Sequence, residues 1–455
     1  QPRILASRIQ ITEGRADAAT TAAVLAQLVE ARPQSATYRL ELADQQLAQG
    51  QEAEALGTLD AAIADEPTAM MELRRIRAAL GGQDELTPFR QDGLAILQEY
   101  RDSDVDYDEP SVLVFDYTAV RVFEDGSSLV LTHQILQANS EESVDELGQF
   151  EPPDSGYVLK LRTIKADGAI LEPDLLGNMS TINLSNVAVG DFVEQEYVRV
   201  LGPPTGIPGG ILGERFFFNS FETPFYRSEE VVAVPEGTEV VVDPRGEAPR
   251  TQRETRDGLT IYRWRVDQSE PLVQEPGSVS AREYIPSINW GHGATWGLFL
   301  EGLRDVMADR NPVDPAALAL ARRLTRGARS DRAKAEKLYY WVLENIENNS
   351  DAFGIAPTML SGRTGNRTRV LHYLLGLVGV EAQLVLVRDF AADQTESDLA
   401  DDQTYTNLVV KLGDEYVVTG ARGIPFGYVS PTMRGQDALV LVPYAESDEV
   451  HTATI

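Results

Sequence analysis

Three arginines surround the start of one predicted helix, and their spacing is the strongest sign of chemistry in the chain. Arg363, Arg367 and Arg369 lie where a glycine-containing loop turns into a leucine-rich segment. Asn366 or Thr364 can cap the helix start, and the free N–H groups of a helix start favour anions. Guanidinium groups bind carboxylates and phosphates. The pattern therefore predicts a pocket for an anionic ligand.

The usual catalytic and metal-binding sets are missing from the sequence. The chain has no cysteine, which excludes a thiol nucleophile, a disulfide and a zinc–thiolate site. Residues 102–110 are acidic but lack the glycine and glutamate of a calcium loop, and residues 202–213 lack the lysine of a phosphate loop. We therefore expect neither a metal nor a cofactor. The histidines are scattered without metal-ligand spacing, at His133, His292, His372 and His451.

Composition and charge bound the size and the partners of the protein. The 455 residues include 71 acidic and 40 basic ones, for a net charge of −31, and the length predicts about two to four domains. Such a surface repels nucleic acid and anionic lipid, so it serves solubility or meets a basic partner or a cation. No stretch reaches the ~18 apolar residues of a membrane span. Because the chain begins at Gln1, we expect a processed or truncated product whose missing segment could have held a targeting signal.

Residues 1–101 are predicted to form helical hairpins. Small and apolar residues recur at positions where two helices would cross, which resembles a tetratricopeptide repeat of about 34 residues, and a weaker copy precedes it. Such repeats bury their faces against neighbours, so a protein-binding surface and a helical spacer both remain open. The matching positions are Leu42, Ala43, Gly50, Ala55, Leu59, Ala62 and Pro67.

Two regions with different patterns follow. Residues 111–285 alternate apolar and polar side chains between turns, which predicts an antiparallel β-sandwich. Residues 286–455 begin with helices and return to strands after a central helix. The predicted fold is therefore α+β and multidomain, with domains at 1–101, 111–285 and 286–455. The apolar face of the central helix consists of Val370, Leu371, Leu374, Leu375 and Leu377.

The central helix and its flanks resemble the nucleophile segment of bacterial transglutaminase-like domains, which share the papain-like arrangement. That family has a Thr-Leu loop and an Arg-x-Gly turn before a leucine-rich helix, and a short Gly-Val motif after it. A Trp-Val-x-x-x-Ile helix precedes the loop. The residues that carry this resemblance are Trp341, Val342, Ile346, Thr358, Leu360, Arg363, Gly365, Gly379, Val380 and Ala382.

The resemblance implies that the catalytic residues have been replaced. Cys, His and Asp form the family's catalytic set, and their positions fall on Arg367, Asn407 and Thr419. Arginine is no nucleophile at neutral pH, asparagine carries no titrating proton, and threonine has no base to activate it. We therefore predict a degenerate site and no enzyme activity. Drift after the loss of activity and the arginine pocket are the two explanations left open.

The β-rich region resembles the domain of unknown function that precedes transglutaminase-like domains in many bacterial envelope proteins. That resemblance implies no chemistry, but it implies a bacterial cell envelope, periplasmic or outer surface, or secretion. The residues that match in order are Tyr117, Asp125, Gly126, Val189, Gly190, Asp191, Phe192, Val193, Glu194, Glu196, Tyr197, Phe221, Pro224 and Val231.

Three functions follow as hypotheses. The first is a pseudo-transglutaminase that acts as a scaffold or assembly component, binding a protein partner or its own copies. The second is a module that binds an anion, glycan or peptide through Arg363, Arg367 and Arg369. The third is a hydrolase that uses a site not recognised in the sequence.

Overall fold

The described part of the chain covers all three predicted regions. No helix in it is long and apolar enough to cross a lipid bilayer. Two predicted positions, Pro67 and His451, lie outside the described residues. The computed structural model describes residues 18–33, 35–65, 76–77, 80, 84–173, 181–184, 186–204, 207, 210–273, 275, 278–307, 313–349, 354–400, 404–441 and 452–455.

Helical hairpins open the described chain, as predicted. The helices are α1 (Ala18–Ala31), α2 (Ala36–Ala48) and α3 (Glu52–Asp65). Ser35 caps α2 with its side chain, and Gly50 turns the chain towards α3 with a φ of +72°. Two small cores lie between successive helices: Val24, Leu25, Leu28 and Leu42 form one, and Ala43, Ala55, Leu59 and Ala62 form the other.

A fourth helix leads into the β-rich region and packs on it. This helix, α4 (Gly93–Asp102), buries Ile96, Leu97 and Tyr100 in the same core as Tyr117 of the sheet. The elements that follow are β1 (Ser111–Val122), β2 (Ser128–Ala138), α5 (Glu141–Leu147), β3 (Gln149–Phe150), β4 (Gly156–Ile164), β5 (Ile170–Leu171), β6 (Ile182–Asn183), β7 (Phe192–Leu201), β8 (Ile211–Leu212), β9 (Phe216–Phe217), β10 (Phe225–Pro235), β11 (Val241–Arg245), β12 (Gln252–Arg256), β13 (Leu259–Ser269), α6 (Ala281–Tyr284) and β14 (Ser287–His292).

The large sheet is mixed, which corrects the prediction of an antiparallel sandwich. Its order is β12–β13–β10–β1–β2–β7–β4–β5, and β1 and β10 run parallel. The antiparallel prediction is wrong at this pair because hairpin patterns report only neighbouring strands, whereas β10 follows β1 after many intervening residues. On the other face, β14 pairs with β8, β9 and β11 in a second sheet. Trp290 of β14 packs there beside Trp264 of β13.

Helices and a separate five-stranded antiparallel sheet make up the C-terminal region. The elements are α7 (Trp296–Met307), α8 (Pro315–Leu324), α9 (Asp331–Asn345), β15 (Glu347–Asn348), α10 (Ala356–Gly362), β16 (Thr364–Gly365), α11 (Arg367–Leu377), β17 (Gln383–Val387), β18 (Asn407–Leu412), β19 (Glu415–Val417), β20 (Asp437–Leu441) and β21 (Thr452–Thr454).

The helix α11 is the centre of the C-terminal core. Val370, Leu371, Leu374 and Leu375 are each at most 1% exposed. They share one core with residues of α9, β17 and β18, whose sheet has the order β19–β18–β17–β20–β21. Together with the N-terminal helices and the large mixed sheet, this arrangement makes the chain an α+β multidomain protein.

Candidate functional site

The start of α11 is fixed by a tight turn. Asn366 caps the helix, since its side chain accepts a hydrogen bond from the N–H of Arg369 at 3.2 Å. Gly365 has a φ of +145°, and a Cβ placed on it would stand only 2.4 Å from a side-chain carbon of Met359. β16, which contains Gly365, pairs with β15 in parallel. The turn therefore requires glycine, and it sets where residue 367 begins the helix.

Arg367 is a buried arginine that is held by backbone carbonyl groups. It is 5% exposed, and its Nε donates to the carbonyl of Ile346 at 2.9 Å. Its Nη1 donates to the carbonyl of Gly420 at 2.8 Å. Burial lowers the pKa of the Arg367 guanidinium, and the nearby Arg422 lowers it further. The side chain thus ties α11 to two other segments without a carboxylate.

Thr368 forms a second link, which the sequence did not single out. Its Oγ1 lies 3.1 Å from the carbonyl oxygen of Leu408 and 2.6 Å from Oγ1 of Thr419. A hydroxyl has one proton, so Thr368 donates to the carbonyl while Thr419 donates to Thr368. Thr368 and Thr419 are both buried. A threonine that follows a candidate position by one residue carries no recognisable signal in the sequence.

The three segments expected to carry a catalytic set therefore meet in the structure. Arg367 contacts Gly420, which follows Thr419, and Thr368 contacts Leu408, which follows Asn407. Asn407 itself is half-buried. Its Nδ2 lies 3.4 Å from the carbonyl oxygen of Val387, its partner in the sheet. The side-chain groups at the junction are thus a guanidinium, two hydroxyls and an amide.

The three arginines of the predicted anion pocket have different partners. Arg363 is exposed, donates from Nη1 to the side chain of Asn345 at 3.1 Å, and places its guanidinium 5.9 Å from the ring centroid of Trp341. Arg369 is 1% exposed, and its Nη2 lies 3.2 Å from the carbonyl oxygen of Gly354. Arg367 bonds Ile346 and Gly420, as described above. No acceptor is common to all three in these bonds.

The described histidines lie apart from this junction. His372 is on α11, with its Nε2 3.1 Å from the carbonyl oxygen of Ala382. His133 is fully buried in the large sheet beside Glu194, and His292 ends β14 near the carbonyl of Glu239. Within the described segments, no group of three or more metal-ligating side chains is placed to hold an ion. In the described part of the chain, neither hydroxyl at the junction is hydrogen-bonded to an imidazole or a carboxylate.

The fold resembles that of a solved structure. A crystal structure from Parabacteroides distasonis, described as "a putative protease", matches with a TM-score of 0.59 and 14% sequence identity. The match covers 76% of this chain and 72% of that one. The likeness supports the predicted α+β fold in its coarse form. At this identity it concerns the fold alone.

Two other solved structures share parts of the chain more weakly. Aminopeptidase A of Legionella pneumophila, in complex with aspartic acid, has a TM-score of 0.24 at 9% identity over 42% of this chain and 22% of that one. Leukotriene A4 hydrolase of Saccharomyces cerevisiae has a TM-score of 0.19 at 12% identity, over 44% of this chain and 33% of that one. These scores are too low to bear on the fold. No family model and no curated protein matches the sequence.

Proposed function

We propose that the chain is a non-catalytic binding protein built on a protease-like fold. One observation carries this proposal: Arg367, at the position that the resemblance assigns to the nucleophile, is buried and bonded to the carbonyls of Ile346 and Gly420. A guanidinium is neither nucleophile nor base at neutral pH. The neighbouring Thr368 hydroxyl is bonded to Thr419 rather than to a base, so it lacks the activation that nucleophilic catalysis needs.

The binding role would be that of a scaffold or assembly component in the bacterial cell envelope or outside the cell. The helical hairpins α1 to α3 support a protein partner or self-assembly, because stacked hairpins of this kind offer an extended surface. The envelope location rests on the resemblance of the β-rich region. The anion pocket of Arg363, Arg367 and Arg369 is a weaker proposal, because two of these guanidinium groups are buried on backbone carbonyls.

A hydrolase with another set of residues is the second candidate. The likeness to the Parabacteroides protein favours it, since that protein is described as "a putative protease". The present chain would then need a nucleophile or activated water away from the junction, because the positions that the resemblance assigns to the catalytic set hold Arg367, Asn407 and Thr419.

Turnover assays separate the two candidates. The full chain is incubated with a broad peptide library and with glutamine-donor substrates, beside an active papain-like enzyme as positive control. We expect no product above the level seen with heat-unfolded protein. Cleavage or transfer by the native chain would refute the proposal. Cleavage that survives in Thr368→Val and Arg367→Met would then place the active site outside the junction.

A further inference from the structure

A cleft lies between the second β-sheet and the C-terminal region, apart from the junction just described. It encloses about 870 Å³ and is lined by β11 and by the segment that follows β17. Clefts between domains are common sites for small ligands, and this volume suits a short peptide. The described residues of its lining do not include Arg363, Arg367 or Arg369. The predicted arginine pocket and this cleft are therefore different sites.

One wall of the cleft is an alternating row of buried charges. Arg215 bonds Asp243 at 2.6 Å, and Arg245 pairs with the other oxygen of Asp243. The Nε of Arg245 also lies 3.5 Å from a carboxylate oxygen of Asp393. These four side chains are at most 11% exposed. Two cations and two anions balance one another, so the row is a closed set of ion pairs.

Arg388 adds a positive charge that this row does not neutralise. It is 8% exposed, and its Nη2 donates to the Tyr405 hydroxyl at 2.9 Å. Its Nη1 lies 3.3 Å from the carbonyl oxygen of Gln394, and its Nε has no hydrogen-bond partner among the described residues. In the part of the chain that the structure describes, no carboxylate lies within ion-pair distance of Arg388. A buried cation is costly unless an anion neutralises it.

The rim of the cleft carries the opposite charge. Glu396, Asp398 and Asp437 line it and are exposed. An extended acidic ligand would be repelled there, on a chain whose net charge is already −31. A ligand with one carboxylate and a separate cationic group would match both parts of the cleft.

We propose that this cleft binds a short peptide by its free C-terminal carboxylate, which Arg388 receives, while the ammonium groups of the peptide face the rim carboxylates. Arginine presents a planar fork that fits a carboxylate, and Tyr405 holds that fork from the side, with its ring centroid 4.9 Å from the guanidinium carbon. The inference rests on the proposed function, because it names the ligand class of a protein that binds without turnover.

Calorimetric titration of the full chain tests the site. The probes are the tripeptide Lys-Ala-Ala with a free C-terminus and the same tripeptide with a C-terminal amide. We expect the free acid to bind at least about tenfold more tightly than the amide. Arg388→Gln should remove that difference, Arg388→Lys should keep part of it, and the matched control Arg434→Gln, an exposed arginine, should leave it unchanged.

Further outcomes keep the test decisive. Because Arg388 is buried, a second variant is made on the exposed rim, where the fold tolerates a change. Asp437→Asn should lower the affinity for the free-acid tripeptide severalfold, and this loss should become smaller at high salt. Equal affinity for acid and amide, or no binding of either, would overturn the site and leave the absence of catalysis intact. Tight binding followed by cleavage of the tripeptide would overturn the proposed function and leave the site intact.

Discussion

The hydroxyl oxygen of Thr368 lies 2.6 Å from the hydroxyl oxygen of Thr419, with both side chains buried. This contact joins the first turn of α11 to the segment that follows β19. Thr419 and Arg367, the residue before Thr368, are the positions that the resemblance assigns to the orienting acid and the nucleophile.

The threonine pair should contribute measurably to stability. Thr368→Val leaves the carbonyl of Leu408 and the hydroxyl of Thr419 without their partner, and Thr419→Val removes the donor to Thr368. Each buried group that loses its partner costs about 1–3 kcal/mol of unfolding free energy. The double variant should cost less than the sum of the two, because the same bond is lost only once. Urea unfolding of the four proteins measures this, with Thr432→Val as an exposed control. Strictly additive losses would show that the hydroxyls do not interact.

Arg367 should act as a structural tie. Arg367→Met keeps an unbranched side chain but removes the guanidinium and leaves the carbonyls of Ile346 and Gly420 unpaired, at about 1–3 kcal/mol for each buried group. Arg363→Met is the matched control, because Arg363 is exposed and should change the unfolding free energy by less than about 1 kcal/mol. Denaturant unfolding compares the two. An equal effect of both changes would contradict the assigned role.

The turn before α11 should tolerate only glycine. Gly365→Ala places a Cβ 2.4 Å from Met359 at a φ of +145°, so we expect a loss of about 1–3 kcal/mol. Gly376→Ala on α11 is the control, because no described atom outside its own helix backbone lies within 4 Å of the new Cβ. That change should stabilise the helix by up to about 1 kcal/mol. Thermal unfolding measures both variants. A lower melting temperature for Gly365→Ala and a higher one for Gly376→Ala would confirm the prediction, whereas equal shifts in melting temperature would contradict it.

The buried carboxyl of Glu230 should make stability fall as pH rises. Burial raises the pKa of Glu230 to about 8 although Trp290 donates a hydrogen bond to it. A group with a raised folded-state pKa stabilises fully below its unfolded value of 4.5, and this contribution is lost as pH rises through 8. Glu230→Gln keeps the acceptor for Trp290. Because glutamine does not titrate, the melting temperature of this variant should change less between pH 5 and 9 than that of the unchanged protein. An unchanged slope would contradict the assignment.

Glu194 should make stability fall as pH falls, which is the opposite of the effect of Glu230. Burial alone would raise its pKa, but hydrogen bonds from His133, Lys160 and Arg162 lower it to about 2. A group with a lowered folded-state pKa stabilises above its unfolded value of 4.5 and loses that contribution as pH falls towards 2. Glu194→Gln should therefore lose stability at neutral pH and show a shallower acid transition. If Glu194→Gln lowered stability by the same amount at every pH, the side chain would have a packing role only.

The sequence predicted α11, its cap and its apolar face because these are local signals. Asn366 caps the helix, and Val370, Leu371, Leu374 and Leu375 are buried as their spacing indicated. The parallel pairing of β1 with β10 was not predictable, since it joins segments far apart in the chain. The same is true of the cleft around Arg388, whose charged residues come from segments as far apart in the chain as Arg215 and Asp437.

Because the sequence has no cysteine, one direct test of the central claim is available, namely that residue 367 occupies the nucleophile position of a protease-like scaffold. Arg367→Cys introduces the chain's single thiol at a helix N-terminus, where the helix dipole lowers a thiol pKa below its usual ~8.5. Arg363→Cys, on the exposed turn, is the control. The rate of alkylation is measured against pH. We predict a lower midpoint for position 367 than for position 363; an equal or higher midpoint at 367 would contradict the account.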